Sequence, residues 1–345
     1  MSLPFSPPTS EALDEFMSRP SEGVVSALRE TEGDIAVLGA GGKMGLHLCL
    51  MLQRGLEAIG QNNRQVLAVS RFGSAETRER FEKGGISVIS ADLSEAIDLA
   101  ALPEVPNVFF LAGVKFGTAH EPGMLEKMNV QMPRAVAKRF RESRIVALST
   151  GCVYSFTSPE SGGSTEESEV NPVGDYAISC LGREQAFQNA ATQWGTRSAL
   201  IRLNYAIDLR YGVLVDIAQK VLSGEPVDVS MGFVNVIWQG DALAHTIRAL
   251  SQTSAPPFVV NVTGPGILKV RDLAERFGVR FGKEAMITGE EAPTAWLNEV
   301  AKAHNLFGKP EIVIDEMIEW VATWLENGGE TLGKPTHFQT RDGKY

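Results

Sequence analysis

The chain has 345 residues, of which 43% are apolar and 21% charged, enough to build a sizeable core and outside the range of disordered proteins. A formal net charge of −10 argues against nonspecific binding to nucleic acid or to anionic membranes, and no apolar run approaches the ~18 residues of a membrane span. Three scattered cysteines (Cys49, Cys152, Cys180) and five scattered histidines (His47, His120, His245, His304, His337) have neither disulfide-framework nor metal-ligand spacing, so the expectation is a soluble cytoplasmic protein without a metal.

Residues 1–33 form an extension. Met1–Ser10 is rich in Pro and Ser and reads as loose, and short helices are predicted over Glu11–Met17 and Val24–Glu30, separated by a turn at Pro20. From Asp34 onward, strands alternate with helices. Strands are predicted at Ile35–Leu38, Val66–Val69, Ile86–Ser90, Val108–Leu111, Ile145–Ser149 and Ala199–Leu203, with helices at Leu46–Leu52, Met124–Arg141 and Tyr176–Thr192. Continuous apolar strands between amphipathic helices indicate a parallel sheet covered on both faces, here spanning 34–204. Residues 205–326 read as a smaller lobe with one strand returning to the main sheet. Its predicted strands are Val213–Val215, Val234–Trp238 and Phe258–Val262, and its helices Ala242–Leu250 and Val313–Leu325. The polar, glycine-containing tail 327–345 is expected to wrap the molecule or a neighbour.

The most informative stretch is Gly39-Ala-Gly-Gly42-Lys43-Met44-Gly45, which lies between the first strand and first helix of the alternation. Gly39 permits a tight turn, Gly42 lets the backbone approach a pyrophosphate, and Gly45 lets helix pack on strand. The helix N-terminus then offers N–H groups and a positive dipole end to the anion. In such sites a carboxylate about 20 residues on grips the ribose of NAD. None occurs between Glu57 and Glu76, and the second strand ends in Ser70-Arg71. A hydroxyl and a guanidinium suit a 2′-phosphate, so NADP is expected, with NAD possible. Asp92 is a candidate for the adenine edge, or simply a charge at a helix start.

Further motifs in order give the chain a resemblance. They are Ala91-Asp92-Leu93, Leu111-Ala112-Gly113-Val114-Lys115, Asn129 within Met-Asn-Val, Ser149-Thr150-Gly-Cys-Val-Tyr154, Tyr176, Arg202-Leu-Asn204, Val260-Asn-Val-Thr-Gly264 and Leu306-Phe-Gly-Lys-Pro310. Over about 34–326 the sequence resembles the extended short-chain dehydrogenases/reductases, which include nucleotide-sugar epimerases and dehydratases. The resemblance implies a Rossmann-type doubly wound α/β fold with a smaller C-terminal α/β substrate lobe. It also implies hydride transfer on a hydroxylated sugar, nucleotide sugar or sugar acid, and a homodimer built on the helices at 124–141 and 176–192. Leu111, Ala112, Gly113, Lys115, Asn129, Ser149 and Asn204 would face the coenzyme, with Leu93 beside Asp92. Thr150 would bond the reacting oxygen, and Asn204, Arg210 and Trp238 would face substrate.

The family's Y-x-x-x-K pair is broken, because Tyr176 is followed four residues on by Cys180. The missing ammonium would hold the nicotinamide ribose and lower the phenol pKa, and an unaided phenol near pKa ~10 is a poor base at neutral pH. Three readings stand. Arg183, seven residues after Tyr176 on nearly the same helical face, or Lys115, supplies the cation; Tyr176 works without strong activation, for example only as an acid; or the chain is a catalytically silent NADP-binding regulatory or partner protein. Cys180 is either a packing residue or a nucleophile.

Overall fold

The computed structural model describes residues 6–115, 121 and 123–343; Met1–Phe5 and His120 lie outside them. Seven parallel strands form the central sheet: β1 (Ile35–Leu38), β2 (Val66–Ser70), β3 (Ser87–Ser90), β4 (Asn107–Phe110), β5 (Arg144–Thr150), β6 (Ser198–Leu203) and β7 (Phe258–Val262). Their spatial order is β7-β6-β5-β4-β1-β2-β3, so the chain reverses direction across the sheet between β1 and β4. Ligands bind at the carboxyl ends of strands at such a switch point. Central β1 and β4 are buried along their whole length, whereas the edge strand β3 is polar at both ends and partly exposed.

Each face of the sheet has its own core. On one, Val24, Leu28, Leu48, Leu52, Leu243 and Ile247 pack on Val37, Phe109, Ile201 and Val262, bringing together the helices Glu22–Arg29, Gly45–Ala58 and Gln239–Arg248. On the other, Leu99, Val136, Phe140 and Phe187 pack on Leu38, Val108, Phe110 and Ile145. A third core sits in the second lobe among the helices Val213–Ser223, Val270–Phe281 and Ile314–Glu326, and it includes Leu13 and Met17 of the N-terminal helix Ser10–Met17.

Three expectations are corrected. Val213–Val215 is not a strand but the first turn of the helix Val213–Ser223. Buried Val213, Leu214, Ile217, Ala218 and Val221 recur at helical spacing, a period that a three-residue window conceals. The run Val234–Trp238 splits into Phe233–Val234 and Ile237–Trp238, which pair with different partners, Leu268–Lys269 and Ala206–Ile207. The helix over 124–141 is interrupted by a π turn at Lys127–Gln131, which carries Asn129. Single π turns inside helices are frequent at functional sites.

The tail folds on its own chain. Leu332 N–H donates to Arg210 O at 2.9 Å, Thr336 donates from both N–H and hydroxyl to Asp216 Oδ2, and the Arg341 guanidinium lies 4.2 Å from the Phe156 ring centroid.

Candidate active site

The glycine turn folds as its residues require. Gly39 has φ +85°, and a Cβ there would stand 2.6 Å from Ala112 N; a Cβ on Gly45 would stand 2.0 Å from Ala40 O. Neither position admits a side chain. A Cβ on Gly42 would meet only Gly39 O at 3.4 Å, so this face of the turn is open to a ligand. Met44 begins the helix Gly45–Ala58 with no side-chain cap, leaving the N-terminal donors available to an anion. The turn therefore fits the pyrophosphate of a dinucleotide.

The turn opens into a cleft of about 320 Å³. Gly39, Gly42, Lys43, Met44 and Gly45 line one end, and Leu111, Gly113, Val114 and Lys115 follow β4 along its side. Ser149, Thr150, Tyr176 and Arg183 lie beyond, while Tyr205, Ala206, Tyr211, Gly212, Val213 and Thr336 close it from the second lobe and the tail. Three cations and no carboxylate line the cleft, in a chain whose net charge is −10.

Thr150 ends β5, and its Oγ1 accepts a hydrogen bond from Cys152 N–H at 3.2 Å, which leaves the hydroxyl proton free to be donated. Next to it, Ser149 donates to Glu184 Oε1 at 2.5 Å, and Glu184 forms a buried two-point pair with Arg202 at 3.0 and 2.8 Å. Removing one partner of such a pair costs about 3–5 kcal/mol, so Thr150 stands on a rigid footing.

Tyr176 lies one residue inside the helix Asp175–Trp194. Burial raises its phenol pKa well above the ordinary value, neighbouring Cys180 adds to the rise, and the Arg183 guanidinium opposes it. The phenol is thus a proton donor at neutral pH. Lys115 Nζ sits 5.5 Å from the Tyr176 ring centroid, and burial pushes its own pKa down. Cys180 is 0% exposed, hydrogen-bonded to Tyr176 and packed among Val153, Tyr154 and Leu181. It does not line the cleft, and burial pushes its thiol pKa up, which removes the thiolate a nucleophile needs.

Arg183 takes a defined place. Its Nη1 donates to Leu148 O at 3.0 Å and its Nη2 to Asn129 Oδ1 at 2.9 Å. Gly113 makes room for it, since a Cβ there would stand 2.1 Å from Nη2. Asn129 Oδ1 also accepts from Val114 N–H, and its amide donates to Val114 O and to Ser179 Oγ. Fully engaged and 0% exposed, Asn129 positions Arg183 and the β4 loop and does not itself face the cleft.

Three residues expected to face substrate lie outside the cleft lining. Asn204 turns from the cleft and donates to Trp296 O at 3.1 Å and Asn235 Oδ1 at 3.4 Å. Tyr205 follows with φ +42°, rare for an aromatic residue. The Arg210 guanidinium is buried against Asp14 at 2.9 Å, His47 at 3.4 Å and Asp208 at 3.9 Å. Trp238 is core, in contact with Phe16 and Trp320 at ring-centroid distances of 6.0 and 5.6 Å. In their stead Tyr205, Tyr211 and Thr336 reach the cleft. Tyr211 sits beside Arg210 in sequence, whereas Thr336 comes from a tail with no periodic signal.

At the far end, Ser70 and Arg71 follow β2. Arg71 has a side chain 71% exposed and lies 3.8 Å from Asp92. Asp92 accepts from Ser94 N–H and Oγ at 2.9 and 2.7 Å, bonds that lower its pKa. Leu93 is buried in the sheet core, so only its backbone is available to a ligand. No group of three or more His, Cys, Asp or Glu among the described residues is placed to hold a metal, and no described helix is long and apolar enough to cross a membrane.

No curated protein matches the chain in sequence. Among solved structures, it is similar to UDP-glucuronic acid 4-epimerase from Bacillus cereus in complex with NAD (TM-score 0.69, 17% identity, 85% of this chain and 98% of that one). It is also similar to a UDP-glucose 4-epimerase from Thermotoga maritima with UDP-glucose (0.67, 16%, 86% and 99%) and to a UDP-galactose 4-epimerase (0.66, 21%, 86% and 99%). These likenesses are of fold. The model of the NAD dependent epimerase/dehydratase family matches residues 35–208, from the first strand through the Tyr176 helix to the start of the second lobe, and the chain belongs to that family.

Proposed function

We propose that the protein is an NAD(P)-dependent oxidoreductase or epimerase/dehydratase that acts on a hydroxylated sugar, nucleotide sugar or sugar acid, with Tyr176 as proton donor and Arg183 as the cation that replaces the missing lysine. One observation carries the reading: Thr150, Tyr176 and Arg183 line the same cleft as the glycine turn. A nicotinamide coenzyme bound there supplies or accepts a hydride. Thr150 donates a hydrogen bond to the substrate oxygen, and Tyr176 passes its proton to that oxygen as a carbonyl becomes an alcohol. Arg183, held against Gly113, faces the ribose and offsets part of the burial cost on the Tyr176 phenolate that the reverse direction needs.

The similar structures are of UDP-sugar 4-epimerases, two of them with NAD or UDP-glucose, which supports a nucleotide sugar as one substrate class. We assign NADP in preference to NAD on the exposed guanidinium of Arg71 beside Ser70, against the pull of Asp92. Ile178, 55% exposed on the Tyr176 helix, supports pairing of two copies through that helix.

The test is coenzyme binding by calorimetry, followed by incubation with a panel of sugars, nucleotide sugars and sugar acids and isotope exchange between coenzyme and sugar. Exchange that Tyr176→Phe abolishes supports the enzyme. Tight coenzyme binding without exchange to any panel member would instead support a silent binding protein.

A further inference from the structure

Lys43 follows Gly42 directly, and the steric demands of the turn fall on the glycines, not on its side chain. Here it carries a cation that leaves the coenzyme turn altogether. Its Nζ donates to Ala206 O at 3.3 Å and lies 4.3 Å from the centroid of the Tyr211 ring. Both partners belong to the segment that lines the cleft from the second lobe, so the ammonium is directed from the glycine turn toward that lobe.

No carboxylate lies within ion-pair distance of Nζ among the described residues. Asp208, the acidic residue of that segment, is engaged by Arg210, whose N–H it accepts at 2.7 Å. An ammonium has three N–H donors; one carbonyl and one ring face, with the Asp208 carboxylate acting only through space, leave it short of a contacting anion. The side chain is partly reached by solvent through the cleft, and the protein packed around it still pushes its pKa down from the lysine range. A charge in such a setting is stabilised by a ligand anion that excludes water.

We propose that Lys43 is a specificity-determining residue that binds the carboxylate or phosphate of an acidic sugar substrate. This rests on the proposed sugar chemistry of the cleft and narrows its substrate class. The coenzyme's own pyrophosphate is the other source of such an anion, but the backbone donors of the helix N-terminus are there to serve it, and Lys43 Nζ is bonded to Ala206 O of the second lobe.

The full chain, with and without saturating NADP, is titrated by calorimetry with D-glucuronate, D-glucose 6-phosphate and D-glucose, and coenzyme affinity is measured separately. The expected result is that at least one acidic probe binds 10-fold or more tightly than glucose. Lys43→Met should cut that preference at least 10-fold while changing coenzyme affinity less than 3-fold, and Lys43→Arg should retain it. Equal binding of acidic and neutral probes by the wild-type chain overturns the proposal whatever the variants do, and a parallel loss of coenzyme affinity in Lys43→Met assigns the lysine to the pyrophosphate instead. Failure of the chain to bind coenzyme would sink the enzymatic reading, while the acidic preference of the coenzyme-free chain is still read.

Discussion

Replacing Arg183 by Met removes two charge-assisted hydrogen bonds, to Leu148 O at 3.0 Å and Asn129 Oδ1 at 2.9 Å. Bonds of this type contribute about 1.5–3 kcal/mol each, and packing of the methionine returns part of that, so a net loss of about 3 kcal/mol is expected. Unfolding entropy of about 2.1 cal/mol/K per residue gives roughly 0.7 kcal/mol/K for a chain of 345 residues, so the melting temperature should fall by about 4 °C. The functional loss is separate. Loss of the proposed charged contact to the ribose, about 1.4 kcal/mol, should weaken coenzyme binding about tenfold. Because the guanidinium lowers the Tyr176 phenol pKa, its removal moves the alkaline limb of alcohol oxidation to higher pH, and Arg183→Lys should bring that limb back. Calorimetric titration with coenzyme and a pH–rate profile separate the two effects. A drop in melting temperature with coenzyme affinity and pH profile unchanged would refute the assignment and leave Arg183 a purely structural residue.

Tyr176→Phe should abolish turnover while leaving coenzyme affinity within about 3-fold, because the phenol proton serves chemistry and not binding; retained turnover shows that another group donates. Gly39→Ala should lose coenzyme binding and stability together, since its Cβ meets Ala112 N at 2.6 Å in a backbone with φ +85°, and thermal melts with and without coenzyme would show a wild-type-like shift if that were wrong. His245→Gln tests a buried neutral histidine whose pKa burial pushes down to about 4. A depressed histidine contributes stability above the unfolded value of 6.5 that is lost as pH falls toward 4, about 3 kcal/mol in all. The wild-type advantage over the variant should therefore shrink by that order between pH 7 and pH 4 in urea melts. Asp241, one turn earlier and raised by burial to about 6, acts oppositely, gaining stability as pH falls from 6 toward 3.8. A pH-independent difference between wild type and variant would contradict the account.

The parts of the site legible in the sequence are those whose geometry is local. Gly39, Gly42 and Gly45 announce a turn because each answers a steric demand within a few residues of itself, and Tyr176 and Arg183 share a face because helical spacing puts them there. What could not be read depends on contacts distant in sequence. Arg210 and Tyr211 are neighbours, but Arg210 is drawn inward by Asp14 and His47, from the N-terminal helix and the coenzyme-turn helix, and Tyr211 is left for the cleft. Asn204 bonds to Trp296 O and Asn235, partners 92 and 31 residues away that its own strand does not announce. Asn129 illustrates a different failure: its position was found, but its role is to hold Arg183 and Val114, which only the hydrogen-bond pattern reveals.

If Arg183 is the cation of the site, as proposed, a cysteine at position 180 is what charge balance favours. The guanidinium already fills the space beside Gly113 and occupies Asn129 Oδ1 of the neighbouring helix. A lysine three residues earlier on the same helix would place a second cation next to it, with Lys115 a third against the Tyr176 ring, and no carboxylate lines the cleft to balance them. Like charges at i, i+3 on a helix disfavour one another, more so where burial denies them water. A small uncharged thiol packed against Tyr154 relieves that conflict. On this argument Cys180→Lys alone should lower stability and fail to raise activity, whereas Cys180→Lys combined with Arg183→Met should restore both relative to either single change. Full activity in the Cys180→Lys variant would show that the two cations coexist and that the cysteine is an independent loss.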